Sequence, residues 1–275
     1  MPVALSACRS CRWALSLKLM LSSLFARLDG LFAPTPDPGR VAFLRAQPFA
    51  HRGLHGNGVV ENSRTAFDAA IRAGHGMECD VQVSSDGVPF VFHDDTLDRL
   101  TAEQGPVRSR SADMLDRVLL KGTEESPPRL STLLEQIGGR APLLVEIKAP
   151  GRHIIPLCFA VRRALEGYRG KVAVMSFNPL VSAWFAAQAP HIVRGLVVSE
   201  EDKSGSKGRI ERMLSLWRAR PEFLAYDVRD LPSIFADRAR RRGLPVLTWT
   251  VQDAAQEQAA LRHADQIIYE RRGHG

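Results

Sequence analysis

From residue 49 onward the chain alternates between two hydrophobic periods. Short apolar runs of strand length fall at 49–51, 77–83, 143–148, 172–176, 193–199, 223–227, 245–251 and 265–269. Between most of them, longer stretches carry apolar residues at helical spacing, at 64–73, 130–137, 154–166, 179–188, 208–219, 233–242 and 254–262. Ser63 stands where a helix cap belongs, and Gly74 and Gly138-Gly139 stand where helices stop. A turn at 84–87 sends residues 88–92 back as a hairpin partner of the second strand. Residues 94–128 are polar and mostly loop, with one short helical pattern near 112–120.

Strands alternating with helices of this size predict a parallel sheet. Eight of them predict an α/β fold of the closed TIM (β/α)8 barrel type, with a short insertion after strand 2 and an N-terminal helical extension. The competitor is an open doubly wound sheet. That fold shows a glycine-rich first turn opening a helix, whereas here the first strand leads into His51-Arg52-Gly53 and a long polar loop.

Length and composition agree with this. The chain has 275 residues, 45% hydrophobic and 24% charged, which suits one large domain. Residues 1–40 read as an N-terminal extension with a stiff linker, since Pro34, Pro36 and Pro38 disfavour helix. Residues 41–275 read as the barrel. Residues 1–28 carry Arg9, Arg12, Lys18 and Arg27 and no acid, and their apolar stretch is too short to span a bilayer. Three readings stand for them: a helix packed on the barrel, a basic amphipathic helix making peripheral membrane contact, or a targeting peptide. The expected location is cytoplasmic, with membrane association through this segment as the variant.

The formal net charge of +7 favours anionic partners. No nucleic-acid motif or interleaved aromatic pattern accompanies it, so no nucleic-acid partner is expected. The basic run Arg238-Ala239-Arg240-Arg241-Arg242 sits at a helix C-terminus, where the dipole favours cations. Of four cysteines, Cys8-x-x-Cys11 is a lone pair with no companion to complete a zinc site, while Cys79 and Cys158 fall in a strand and a helix. The pattern leaves the oligomeric state open.

The candidate chemistry lies at strand ends. Glu78 and Asp80 are two apart in a strand, so both carboxylates project from one face and Cys79 from the other. Glu146 and Lys148 repeat the device at the end of another strand. In a TIM barrel, reactive groups gather at the C-terminal strand ends, and His51, Ser176, Asp227 and Trp249 fall there too. Glu78, Asp80 and Glu146 offer only oxygen ligands, which suit a divalent metal such as Mg²⁺ or Ca²⁺. The rival reading is a salt-bridge cluster with Arg52 and Lys148. His51 and His93 flank the acid pair and belong to the one residue type that ordinarily titrates near neutral pH, so one can take a proton while the other gives one. Arg52 and Lys148 read as phosphate holders or as an ion pair. Glu61-Asn62 reads as hydrogen bonding to the histidine region or as a plain turn. Phe177 and Trp249 read as an apolar substrate wall or as core. Asp94 and Asp95 read as groups that orient the loop after His93. Together these residues supply what metal-assisted cleavage of a phosphate ester requires.

At this point the chain resembles the glycerophosphodiester phosphodiesterase family. The matching stretches are His51-Arg52-Gly53, Glu61-Asn62, Glu78-Cys79-Asp80-Val81, Asp86-Gly87, His93-Asp94 with Leu97 and Arg99 after it, Glu146-Ile147-Lys148, Ser176-Phe177 and Thr248-Trp249-Thr250-Val251. The resemblance implies a TIM barrel, a divalent cation held by Glu78, Asp80 and Glu146, and His51 and His93 as the acid–base pair, with Arg52 and Lys148 near the phosphate. It implies hydrolysis of a small glycerophosphodiester to sn-glycerol 3-phosphate and an alcohol. A lysophospholipase D-type enzyme at a membrane surface, or a barrel that only binds phosphorylated ligands, are the alternatives. Two departures stand out. Gln252 replaces the family's asparagine, and the last strand ends in Tyr269-Glu270 where the family has threonine-aspartate followed by proline.

Overall fold

The computed structural model describes residues 28–201, 203 and 205–270. Of residues 1–28, which carry the membrane, packing and targeting readings, 1–27 lie outside the described residues. The elements are β1 (Phe49–Ala50), α1 (Arg64–Arg72), β2 (Gly76–Val83), β3 (Pro89–Val91), α2 (Leu130–Ile137), β4 (Leu143–Ile147), α3 (Ile155–Ala164), β5 (Val172–Ser176), α4 (Pro179–Gln188), β6 (Val193–Val198), α5 (Gly205–Ala219), β7 (Phe223–Asp227), α6 (Ile234–Arg241), β8 (Val246–Val251), α7 (Ala254–His263) and β9 (Gln266–Tyr269). Eight strands pair in parallel in the order β1-β9-β8-β7-β6-β5-β4-β2, and β1 pairs with β2 to close the ring. The ninth, β3, is antiparallel to β2 outside the ring, as the hairpin reading expects. The fold is a TIM barrel.

The alternation along each strand sorts side chains into two cores. Met77, Cys79 and Val81 face outward and pack with Leu133 of α2 and Leu157 and Val161 of α3. Leu144, Ala173, Met175, Val197, Phe223 and Ala225 fill the barrel interior. Phe49 fits there only because residue 76 is glycine, since a Cβ on Gly76 would come within 2.6 Å of its ring. Val41 and Leu44 join this interior cluster from two helical turns, Pro38–Val41 and Phe43–Ala46, which plug the barrel floor. Fully burying an aliphatic or aromatic side chain is worth roughly 1.5–3 kcal/mol, so the floor is held by more than its short helices.

Helix starts follow capping chemistry. The side chains of Ser63, Asn178, Ser233 and Asp253 each accept a backbone N–H from the first turn of the helix they precede. Residues upstream of the floor also pack on the barrel. Asp29 is fully buried, accepts from Trp217 Nε1 at 2.8 Å and pairs with Arg238 and Arg242. Part of the basic run in α6 therefore serves a buried carboxylate. The loop at 94–128 departs from its polar reading, because Phe90, Phe92, Leu97, Val107, Leu115 and Leu120 bury together as a satellite core. Their spacing follows neither helix nor strand period, so no periodic signal marks them. Among the described residues, no helix is long and apolar enough to cross a membrane.

Candidate active site

The register of β2 and β4 builds the acidic centre. Asp80 lies opposite Glu146 and Glu78 opposite Leu144, so three carboxylates enter the barrel mouth from neighbouring strands. One oxygen from each of Glu78, Asp80 and Glu146 lies within 4.8 Å of the others. All three side chains are buried. Burial pushes the Glu78 carboxyl well up, and Asp80 and Glu146 push it further. Burial also pushes Asp80 up, but the charges of Lys148, Arg52, His93 and His51 outweigh it and hold that carboxyl below its ordinary range. Lys148 Nζ sits 2.6 Å from Glu146 Oε1 and 2.9 Å from Asp80 Oδ1, bridging the two acids.

Two cations do not satisfy this centre. Glu78 Oε1 is buried with no hydrogen-bond partner, and an orphaned buried carboxylate oxygen is costly. An all-oxygen set of three converging carboxylates, one with a free buried oxygen, fits a hard divalent cation such as Mg²⁺ or Ca²⁺.

The turn after β1 carries the next groups. Arg52 and Gly53 are both left-handed, with φ of 54° and 78°. Gly53 is required twice over, because a Cβ there would also meet Ala66 of α1 at 2.8 Å. This tight turn aims the Arg52 backbone N–H at Glu78 Oε2, 3.0 Å away, while the Arg52 side chain reaches Glu61 at 2.8 Å and Asp80 at 3.2 Å. Asn62 sits in a turn with φ of 57°, and its Nδ2 donates to Asp80 Oδ2 at 3.0 Å while its backbone N–H donates to the Arg52 carbonyl at 2.8 Å. His51 Nε2 faces Glu78 Oε2 at 4.0 Å.

His93 enters from the loop after β3. Its Nδ1 bonds to Asp94 Oδ1 at 2.7 Å, so Asp94 holds the ring itself as well as belonging to the loop. Arg99 grips Asp94 with Nε at 2.6 Å and reaches Glu61 with Nη2 at 2.7 Å. Its hydrogen bonds hold the Asp94 carboxyl at about 2, against the opposing effect of burial. A chain of alternating charge thus runs from His93 through Asp94, Arg99, Glu61 and Arg52 to Asp80. The part of Arg99 is not legible from spacing alone, since nothing in one dimension links it to Glu61.

On the other side of the mouth, Phe177 and Trp249 meet edge to face with ring centroids 5.5 Å apart, and Phe177 is half exposed. A cavity of about 420 Å³ lies beside them, lined by Asp95, Glu146, Lys148, Phe177 and Asn178. A larger one of about 640 Å³ lies at the opposite end of the barrel, around Gly138, Gly139, Glu166 and Tyr168, and shares none of these groups. Ser176 and Asp227, both at strand ends, are committed elsewhere: Ser176 Oγ donates to the Ile147 carbonyl and Asp227 pairs with Arg229. Two of the departing positions meet, because Gln252 Nε2 donates to Glu270 Oε2 at 3.0 Å.

Against known proteins, the sequence pattern of the glycerophosphoryl diester phosphodiesterase family matches residues 51–271, beginning at the first histidine and including the last strand. The chain belongs to this family. A glycerophosphodiester phosphodiesterase of Bacillus altitudinis is 32% identical over 155 residues, covering 52% of this chain and 63% of the relative. One from Caldanaerobacter subterraneus subsp. tengcongensis is 31% identical over 160 residues, covering 54% of this chain and 65% of the relative. The matches thus span less than two thirds of the length of these curated relatives. Among solved structures, an Oleispira antarctica phosphodiesterase in complex with the product sn-glycerol-3-phosphate superposes with a TM-score of 0.72 at 25% identity, covering 82% of this chain and 93% of that one. A glycerophosphodiester phosphodiesterase from Thermotoga maritima shares the fold with a TM-score of 0.65 at 23% identity, covering 80% and 92%. All of the residues quoted for the family resemblance lie in or beside this matched region of the glycerophosphoryl diester phosphodiesterase barrel.

Proposed function

We propose that the protein is a metal-dependent phosphodiesterase that hydrolyses small glycerophosphodiesters to sn-glycerol 3-phosphate and an alcohol. One observation carries this reading: Glu78, Asp80 and Glu146 converge within 4.8 Å between His51 and His93, and both imidazoles act on the charge of Asp80. The solved relative holding sn-glycerol-3-phosphate supports the product class.

The three carboxylates would hold the divalent cation, Mg²⁺ or Ca²⁺, which when bound lowers the pKa of a coordinated hydroxyl and neutralises phosphate charge. Arg52 and Lys148 supply positive charge for the phosphate oxygens. One histidine takes the proton of the glycerol 2-hydroxyl as that oxygen attacks phosphorus, and the other gives a proton to the departing alcohol. Water then opens the cyclic phosphate with the proton roles reversed. Glu61, with Asn62, holds the Arg52 side of the mouth in register, and Asp94 keeps the His93 ring fixed. Phe177 and Trp249 form the apolar wall for the carbon part of the substrate.

The test is release of glycerol 3-phosphate across a panel of headgroups and lysophosphatidylcholine, with chelation and add-back of Mg²⁺ or Ca²⁺. Turnover of glycerophosphocholine-type diesters that falls on chelation and returns with the ion is the expected result. Exclusive turnover of the lysolipid would move the protein to the membrane-surface alternative. Binding without turnover across the panel would make it a ligand-binding barrel.

A further inference from the structure

A second set of ligating atoms converges at the barrel mouth, apart from the carboxylate trio. His51 Nδ1 lies 3.6 Å from Glu270 Oε2, and His55 Nε2 lies 3.7 Å from Glu270 Oε1. One donor atom from each of these three residues lies within 4.8 Å of the others. Both ring nitrogens are sealed from solvent and have no hydrogen-bond partner. These gaps exceed the roughly 2.7–3.2 Å of a nitrogen–oxygen hydrogen bond. They come close to the spacing of donors around a shared ion. With metal–ligand bonds of about 2.0–2.1 Å, tetrahedral donors stand about 3.3 Å apart.

The three side chains are held where they are. β1 pairs with β9, and the His51 backbone N–H donates to the Tyr269 carbonyl at 2.9 Å, which sets His51 beside Glu270. Gln252 steadies the Glu270 carboxylate at 3.0 Å. His55 is placed by its backbone N–H, which donates to the Gly53 carbonyl at 3.1 Å. Burial, opposed by the charge of Glu270, pushes the His55 ring below its ordinary range.

We propose that His51 Nδ1, His55 Nε2 and the Glu270 carboxylate form a second, separate cation site, selective for a borderline divalent ion of the zinc class. Two imidazoles and one carboxylate suit Zn²⁺ or Co²⁺, whereas the all-oxygen trio suits a hard ion, so the two sites sort ions by chemistry. The site is also a switch, a consequence that rests on the acid–base role proposed for His51. Its Nδ1 faces this site and its Nε2 faces Glu78. An ion on Nδ1 leaves the remaining ring proton on Nε2, which then has no lone pair with which to accept one. Occupancy therefore silences His51.

The experiment is a calorimetric titration of Zn²⁺ into the full chain in excess Mg²⁺, repeated with Co²⁺ while its visible absorption is followed. The wild type is expected to take up one equivalent with the absorption of tetrahedral Co²⁺. His55→Gln and Glu270→Gln are each expected to weaken that uptake roughly tenfold or more, and Glu146→Gln to retain it. Melting curves confirm that the variants are folded, and the two substitutions serve independently should either fail to fold. No uptake by the wild type in excess Mg²⁺, equal uptake by folded His55→Gln or Glu270→Gln, or loss of uptake in Glu146→Gln would overturn the proposal. In the wild type, Zn²⁺ should stop glycerol 3-phosphate release over the same concentration range that fills the site; release that continues at full occupancy would overturn the switch. The binding arm needs no turnover, so failure of the phosphodiesterase reading and failure of this site give different results.

Discussion

Lys148→Met probes the balance of charge at the centre. The ammonium bridges Asp80 and Glu146 and its side chain is only 20% exposed. Removing one partner of a buried pair typically costs about 3–5 kcal/mol because the other charge is stranded. With its tip reachable by water, Lys148 should sit at the lower end, about 3 kcal/mol. For a domain of this size that lowers the melting temperature by roughly 6–12 °C. The measurement is a thermal melt in chelator, then in Mg²⁺ or Ca²⁺. In the variant no ammonium competes for the carboxylates, so ion binding should stabilise it more than the wild type and narrow the gap. A hundredfold excess over its own Kd stabilises either protein by about 2.7 kcal/mol, so at one ion concentration the tighter-binding variant gains more. The gap should also be smaller at pH 5 than at pH 8. Buried carboxylates left without Lys148 have raised pKa values, so protonation relieves them at low pH and the loss grows as pH rises through those values. A variant melting within about 2 °C of the wild type in chelator, or a gap unchanged by the ion, would refute the reasoning.

Three other outcomes follow from the same geometry. His51→Ala and His93→Ala should each lower glycerol 3-phosphate release by about 10²–10⁴-fold while the circular dichroism spectrum stays native; near-normal rates in either would remove that residue from the proton-handling pair. Gly53→Ala and Gly58→Ala both place a side chain at positive φ, but only residue 53 would also press on α1, since nothing lies within 4 Å of a Cβ at 58. Both should lose about 1–2 kcal/mol of stability to backbone strain in urea unfolding, and Gly53→Ala about 1–3 kcal/mol more; equal losses would show that the close approach to Ala66 is unimportant. For Asp94→Asn, the stability lost relative to wild type should be full above about pH 4, the unfolded carboxylate value, and should close as pH falls through the folded value of about 2. A depressed carboxylate contributes only while ionised, so a gap that persists in acid urea titrations below that window would contradict the Arg99 and His93 assignment.

The histidine, arginine and carboxylate positions were legible because a strand has period two and a TIM barrel gathers its chemistry at one end of its strands. Glu78 and Asp80 project inward with Cys79 outward for that reason alone. Helix ends were legible at Ser63 and Gly138 because capping is local. The roles of Arg99, His55 and Glu270 were not. Arg99 matters through Glu61, 38 residues away in the chain, and His55 meets Glu270 only because β1 closes the ring against β9. The satellite core at Phe92, Leu97 and Leu115 was hidden for a related reason: irregular loops bury side chains without a repeating interval.

By itself, then, the order of residues determined the barrel, the rim on which the acids and histidines stand, and the family to which they belong, since all of these depend on local periodicity and on motifs read in a line. Tertiary structure alone decided which charges meet. It set Asp80 against Glu146 through strand register, joined His93 to Asp80 through Arg99 and Glu61, and brought His51, His55 and Glu270 to one point. Electrostatic and coordination interactions act through space over a few ångströms, and only closure of the ring sets those distances.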